Sequence, residues 1–544
     1  MNITNLLSQY LIYQQFGGAK GDKKWSTFIH HGVFFPPLYK PHGIPLIYNG
    51  LEVKLPALAE EYATYYAKYI DTEYIKIKTF NKNFWHDWKP MLKGLLIDNL
   101  ELCDFSKIIN YLEHIKLNKK EKIENPEENK YKIAIVDGKE QPIGNYRMEP
   151  PGIFIGRGCH PKLGKIKLRI FPKDVILNLS KDASKPPMQD IFKDLNQSWK
   201  KIVHDNHSEW LASWKDTITG KSKYLWLSNK SDFQARSDQE KFDKARKLVK
   251  IIDKLRKTNN ENLLSKDIHT AQLATALYFI DELALRVGNE KGDDEADTVG
   301  VTSLRYEHIT LKPDNIIKLD FLGKDSVRYI KDITVNEIIY LNIDKFLKNK
   351  KHGDNLFETI NSSDINDYLG TFMKGLTAKV FRTYNASYLF QEELDQVTAQ
   401  YTYYEKSDKL NMLLTMFNKA NAKVALLCNH QKNISKGFEE SLDKIIDKIK
   451  DYKSELKELE KDSVKNKKKI KKIKEYIKNQ KNKKDLKLEL KNISLGTSKT
   501  NYIDPRITVA FLKTHNIPIE KVFSTTLRDK FTWAFEVDKD YKFY

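Results

Sequence analysis

A chain of 544 residues in which 40% are hydrophobic and 31% charged has enough apolar material for real cores beneath a very polar surface, which excludes a mainly disordered polymer. At roughly 150 residues per domain, the length points to about three or four domains. The 93 Lys and Arg against 73 Asp and Glu leave a net charge of +20, an excess that draws polyanions, nucleic acid first.

Residues 1–25 read as a loose lead-in, and Met1–Gln15 has neither the basic start nor the sustained apolar run of a signal peptide. From Trp25 to about Asn229 the pattern is mixed. Ile44–Leu55 is strand-like on both sides of Asn49-Gly50, a hairpin turn dipeptide. Ala57, Ala59, Tyr62, Tyr65, Tyr66 and Tyr69 then fall on related faces of a helix. The Lys-rich residues 106–131 read as a surface helical hairpin. The Gly, Pro and Arg of Glu149–Arg169 (EPPGIFIGRGCHPKLGKIKLR) describe an ordered loop that must approach something anionic.

From about Asp232 the composition turns helical. Leu264–Val287 has apolar residues at helical spacing, with Gly288 as its C-terminal stop. Asp281 and Glu282 interrupt its most apolar part, so no transmembrane helix is expected. Ile316–Ile333 reads as two strands around Gly323-Lys324-Asp325-Ser326, and Leu376–Leu394 and Leu410–His430 read as helices. Phe438, Leu442, Ile445, Ile449, Tyr452, Leu456 and Leu459 alternate in steps of four and three, a heptad seam. After a polar break at Lys461–Lys468, a weaker helical pattern runs through Ile470, Ile473 and Ile477 to Leu488, so two antiparallel helices are expected. Residues 436–491 hold 20 Lys and 12 acidic residues, a net of +8. That charge reads either as a solvated helical surface or as an arm beside a nucleic-acid backbone. Asp504 and Pro505 are an N-cap and first-turn pair for a helix ending near His515, which places Tyr502 on irregular backbone just before it. Three cysteines (Cys103, Cys159, Cys428) without CxxC spacing argue against disulfides and structural zinc and fit a reducing compartment.

Singly, the chemical candidates are ambiguous. Tyr502 is one of 28 tyrosines. Arg286 and His430 fall at expected helix ends, where either can cap carbonyls. Lys324 suits a turn and Arg382 a helix surface. Their sequence blocks are more specific. LALRVGNE (Leu283–Glu290), LDFLGKDSVRY (Leu319–Tyr329), GLTAKVFRTYNAS (Gly375–Ser387), VALLCNHQ (Val424–Gln431) and GTSKTNYIDPRITVA (Gly496–Ala510) occur in this order. Together with FWHDWK (Phe84–Lys89), PPGIFIGRGCHPKLG (Pro150–Gly164) and EADTVG (Glu295–Gly300), the chain resembles the eukaryotic-type topoisomerase IB family from about Trp25 to Tyr541. The resemblance implies that Tyr502 is the nucleophile, that Arg286, Arg382 and His430 contact the scissile phosphate, and that Lys324 lies in the minor groove beside it. It also implies DNA contacts from Arg157, Lys162, Asp325 and Asn501. Arg157, Asp325 and Asn501 match positions near the cleavage site, where the camptothecin class of inhibitors binds.

The chemistry is coherent without the family. In-line attack by a phenolate gathers charge on the non-bridging phosphate oxygens, and two guanidiniums with a histidine N–H can be arranged around them beforehand, each such donor typically contributing on the order of 10²- to 10³-fold. Arginine suits the task because its fork is planar and always charged. Lys324, on a stiff hairpin, is the best-placed acid for the departing 5′ oxygen. No base for Tyr502 is evident, so water and the local positive field are expected to assist. The 3′-phosphotyrosine stores the energy of the broken bond, so neither ATP nor a cofactor is needed, and there is no GxxxxGK[ST] run. No clustered carboxylates suggest a two-metal site.

The expected architecture is a multidomain α+β clamp on double-stranded DNA. A mixed α/β cap (1–231) faces a mainly helical catalytic core with a β-hairpin (232–433). An antiparallel coiled-coil linker (434–494) and a C-terminal domain bearing Tyr502 (495–544) follow. A monomer without membrane attachment is expected, in the nucleus for a eukaryotic source, or in the host cell or virion for a viral one. The long charged N-terminal extension of nuclear family members is not seen, and Ile155 stands where a second Arg is common. The rival readings are a tyrosine recombinase-like strand transferase, which shares the Arg/Lys/His/Arg/Tyr set, and a non-catalytic DNA-binding protein.

Overall fold

The computed structural model describes residues 23–118, 125–292, 295–400, 409–432, 434 and 437–544. Residues 1–22 of the expected lead-in lie outside them. The chain divides into two compact units, the described residues of Met1–Ala235 with Asp293–Ala296, and Arg236–Gly292 with Asp297–Tyr544. It is a mixed α+β protein, largely helical, with several small sheets.

The first unit holds two apolar cores. One gathers Leu46, Tyr62, Phe80, Phe84, Trp88, Phe105 and Ile108. Its hairpin pairs Leu46–Tyr48 with Leu51–Val53, and Asn49 and Gly50 take the positive φ values (48° and 84°) that the expected turn requires. Helix Ala57–Ala67 buries Tyr62 and Tyr66, and the Tyr66 ring stacks on Phe84 at 4.1 Å. Phe84 and Trp88 belong to α1 (Lys78–Trp88). The second core, with Trp25, Phe28, Leu177, Leu211 and Trp214, lies against a four-stranded sheet in which Lys201–Val203 runs parallel to Ile176–Asn178. The helical hairpin expected over 106–131 is not formed in the described residues. Ser106–Leu117 is helical, but Pro126–Lys132 is a 3-10 stretch, and residues 119–124 lie outside the described set. Asn125 caps that stretch through the Glu127 amide, and the Glu128 carboxylate is drawn to Tyr146 and Arg147, so the chain turns at once into strand Ile133–Val136.

The second unit packs helices and a three-stranded antiparallel sheet around one large core. α2 (Ile268–Glu282) starts on an Asp267 side chain that accepts from the Thr270 amide at 2.9 Å. The expected helix Leu264–Val287 is therefore too long at both ends. Ala284 turns left-handed at φ 49°, which sends Leu283 and Leu285 into the core and Arg286 outward. Gly288 is not the stop. β1 (Ile316–Leu322) and β2 (Arg328–Thr334) form the expected hairpin. α3 (Ala378–Gln400) and α4 (Lys409–Leu427) follow. α5 (Phe438–Glu460) and α6 (Ser463–Glu489) run in opposite directions side by side. Glu460 pairs with Lys474 at 3.0 Å, the Tyr452 and Tyr476 rings lie 5.5 Å apart, and Lys487 donates to Ser441 at 2.6 Å. All seven seam positions of α5 are buried or half-buried, as are Ile470, Ile473 and Ile477, whereas Leu488 faces out. The polar break is shorter than expected. Asp462 caps α6 at the Lys465 amide, so the lysine run is already helical. α7 (Leu495–Asn501) and α8 (Pro505–Thr514) follow α6 in the chain.

Candidate active site

Tyr502 occupies the link between α7 and α8. The residues before it are helical, a correction to the irregular stretch expected there, and Tyr502 itself leaves helical geometry at φ −128°. Asp504 caps α8 by accepting from the Arg506 amide at 2.9 Å, as its position before Pro505 predicted. The phenol is half-buried, and its oxygen accepts a hydrogen bond from Arg286 Nη2 at 3.1 Å. The Arg382 guanidinium lies 5.1 Å from the Tyr502 ring centre, and the His430 ring stacks on it at 5.2 Å with 27° between planes. Four distant segments thus meet at one phenol.

Each partner is held by its surroundings. Arg286 lies on the loop after α2, not at a helix end. Its carbonyl accepts from the Val301 amide at 2.9 Å, and a Cβ on Gly300 would stand 2.7 Å from that same oxygen and 2.5 Å from Gly288 Cα. Two glycines therefore let the loops touch and fix the backbone of Arg286. Arg382 is buried to 9% exposure on α3. It donates through Nη1 to the Ala284 carbonyl at 3.0 Å and through Nη2 to the Cys428 carbonyl, while Nε has no partner. Burial above all works against its charge, and the second guanidinium adds to this. His430 leaves α4 after Asn429 takes φ 50°, its amide bonded back to Ala425 at 2.8 Å. Burial first, then Arg382 and Arg286, push its imidazole down to about 3, so it is neutral at physiological pH. Its Nδ1 meets Ser498 Oγ at 2.7 Å and its Nε2 meets Arg382 Nη2 at 3.4 Å. Because a guanidinium only donates, Nε2 is here the acceptor and Nδ1–H points to Ser498.

These groups border a cavity of about 170 Å³ lined by Arg286, Arg382, His430, Lys324, Asp325 and Thr497 among others. Lys324 and Asp325 sit exposed at the tip between β1 and β2, where Asp325 and Ser326 adopt positive φ. Arg328 grips Asp320 with two 2.8 Å bonds across the hairpin, and Asn429 and Gln431 both donate to the Arg328 carbonyl at 3.3 Å. The hairpin is thereby tied to the segment that carries His430. The Cys428 thiol is raised by burial and is not a reactive thiolate. Asn501 is exposed, and its amide turns back to the Thr497 carbonyl at 3.2 Å.

Arg157 and Lys162 belong to the first unit. They lie on the loop between the paired strands Gly152–Ile153 and Ile166–Lys167. α1 holds this loop along one face: Asn83 donates to the carbonyls of Pro161 and Leu163, each at 2.8 Å, and Asp87 accepts from the Ile166 amide at 3.0 Å. Gly164, at φ 89°, lies so close to Phe80 that a Cβ would stand 2.0 Å from its carbonyl oxygen.

The sequence reading missed the supporting residues Ser498 and Ser387. Ser498 lies on α7 four residues before Tyr502, and Ser387 lies in the sequence block that contains Arg382. Among the described residues no group of three or more His, Cys, Asp or Glu could hold a metal ion, and no helix is long and apolar enough to cross a membrane.

Residues 23–227 match the family model described as eukaryotic DNA topoisomerase I, DNA binding fragment; residues 230–463 match its catalytic core; and residues 474–543 match the C-terminal topoisomerase domain. The chain is 42% identical to DNA topoisomerase 1 of Caenorhabditis elegans and 40% identical to that of Homo sapiens, covering 96% of itself and 68% and 72% of those proteins. It is 41% identical to DNA topoisomerase 1 alpha of Arabidopsis thaliana, again over 96% of itself but only 60% of that protein's length.

Proposed function

The chain belongs to the eukaryotic DNA topoisomerase I family, and from that premise we propose that it relaxes positive and negative supercoils as a type IB enzyme, with Tyr502 as nucleophile. The observation that carries the reading is the phenol itself, hydrogen-bonded by Arg286 and flanked by Arg382 and His430. Tyr502 Oη attacks a backbone phosphorus of duplex DNA, the bond to the 5′ oxygen breaks, and Lys324 protonates that oxygen as it leaves. The 3′-phosphotyrosine keeps the bond energy, and the 5′ hydroxyl reverses the step without ATP or a required metal.

Arg286 and Arg382 supply fixed positive charge to the oxygens that gain electrons. His430 can join them as a neutral donor. When a phosphate draws Arg382 away from Nε2, the Ser498 hydroxyl can donate to Nδ1, which leaves Nε2–H for a phosphate oxygen. Residues 1–231 then act as the cap of a bilobed clamp, with Arg157 and Lys162 on the duplex, and residues 232–433 as the catalytic core. Residues 434–494 form a coiled-coil linker that slows rotation of the downstream duplex, and residues 495–544 deliver Tyr502. A camptothecin-class inhibitor would bind near the cleavage site. The protein acts as a monomer, and nuclear action goes with a family whose relatives named above are eukaryotic.

The test is supercoiled plasmid in EDTA without ATP, beside Tyr502→Phe. Stepwise relaxation of both signs of supercoil, abolished by the substitution, is expected. Recombination between specific sites would favour the recombinase reading, and binding without relaxation would leave a DNA-binding protein.

A further inference from the structure

The groups that hold the backbone of Tyr502, rather than its phenol, have no part in the chemistry above, and they converge on one helix. Ser387 is fully buried on α3, in the helix that also carries Arg382. Its hydroxyl donates to the Tyr502 carbonyl at 3.0 Å and accepts from the Asp504 amide at 3.0 Å. One side chain thus fastens both ends of the link between α7 and α8. From another direction, the fully buried Asp504 carboxylate accepts from Arg506 Nη2 at 2.7 Å and from the Tyr541 hydroxyl at 3.1 Å. Arg506 lies against the Tyr541 ring at 5.1 Å and pairs with Asp243 at 2.8 Å. The segment carrying Tyr541 then returns to α3. The Phe543 amide donates to Gln391 at 3.3 Å, and the Tyr544 hydroxyl donates to Asp395 at 3.1 Å.

We propose that Ser387 is a positioning residue that keeps Tyr502 in register with Arg382, with Tyr541 holding the other side of the same link through Asp504. The inference rests on Tyr502 being the nucleophile. α3 acts as a ruler. Arg382 and Ser387 are separated by about 7.5 Å of axial rise that a hydrogen-bonded helix does not stretch. A nucleophile displaced by about 1 Å loses on the order of 10² in rate. Ser387 is enclosed by protein, so its loss should act on the chemical step and leave the grip on DNA unchanged.

The experiment measures single-turnover formation of the covalent adduct on a duplex whose cleaved strand dissociates, together with DNA affinity by fluorescence anisotropy. The variants are Ser387→Ala, Ser387→Thr, Tyr541→Phe and Tyr502→Phe, all in the full chain. Ser387→Ala should slow adduct formation by about 10- to 100-fold with Kd unchanged. Ser387→Thr, which keeps the hydroxyl, should recover most of the rate, and Tyr541→Phe should show a smaller loss. Adduct formation at the wild-type rate in Ser387→Ala overturns the inference. So does a slowing that tracks weakened DNA binding. If Ser387→Ala does not fold, Tyr541→Phe decides, and a wild-type rate there overturns it equally. Adduct formation by Tyr502→Phe would instead remove the nucleophile reading, whereas an inert Tyr502→Phe beside a full-rate Ser387→Ala removes only this inference.

Discussion

Arg382 makes bonds that need a fork. Nη1 and Nη2 reach two carbonyls on different segments, Ala284 and Cys428, while the group lies over the Tyr502 ring. A lysine there keeps the charge but satisfies at most part of this set and buries an ammonium that is more strongly hydrated. Arg382→Lys should therefore lower the relaxation rate by about 10²-fold or more, with DNA affinity nearly unchanged; a rate within a factor of two of wild type would show that charge alone suffices. Ser498→Ala leaves His430 Nδ1 without its 2.7 Å partner. Relaxation should slow by about tenfold, and Ser498→Thr should restore it, read from plasmid relaxation time courses. The side chains that gather at the candidate site were legible because Arg, His, Lys and Tyr stand in ordered blocks. Ser387 and Ser498 were not, since a serine in a helix is ordinarily a neutral filler, and the carbonyls of Ala284 and Cys428 leave no trace in side-chain chemistry.

Elements position these groups through packing that periodicity shows only in part. The α5 seam was legible because seven apolar positions in heptad spacing have one physical solution, a second helix alongside. The end of α2 was not. Leu283 and Leu285 continue the apolar pattern past Glu282, yet they are buried from a left-handed turn at Ala284 rather than from a helix. Gly288 carried a recognisable signal with the wrong reason, because its partner is Gly300 across two loops and not a helix carbonyl. Glycine identity is likewise decisive where α1 meets the Arg157 loop. In Gly164→Ala the new Cβ meets the Phe80 carbonyl at 2.0 Å while φ stays at 89°. The backbone must move, which should destabilise the first unit by about 2 kcal/mol or more and show as a lower Tm by tryptophan fluorescence. An unshifted Tm would mean that the loop yields without cost and is not held by α1.

At the scale of the whole molecule, the two units carry separate cores and separate buried histidines, so acid should act on each. In the first unit, burial depresses His30 to about 4; its Nδ1 accepts from the Gly32 amide at 3.0 Å, and its Nε2 donates to the Asn178 carbonyl at 2.9 Å. The unfolded chain takes up a proton below about 6.5 and the folded unit does not. The stability this group contributes is thus complete above 6.5 and lost as pH falls toward 4, on the order of 3 kcal/mol in all. His30→Gln should flatten that part of the stability profile in denaturant titrations, and an unchanged slope would assign the loss to other groups. Net charge acts on both units together. If +20 serves to hold a duplex through its phosphates, log Kd should change linearly with log salt, with a slope of about 5 or more for six neutralised phosphates. The exposed lysines Lys467, Lys468 and Lys471 on α6 separate the two readings of the basic arm. Replacing all three by Gln should lower the slope by about one for each lysine that had neutralised a phosphate and speed supercoil release if α6 drags on the rotating duplex. An unchanged slope with unchanged relaxation would identify that lysine face as solvated surface alone, and the excess charge would then have to act through other parts of the chain.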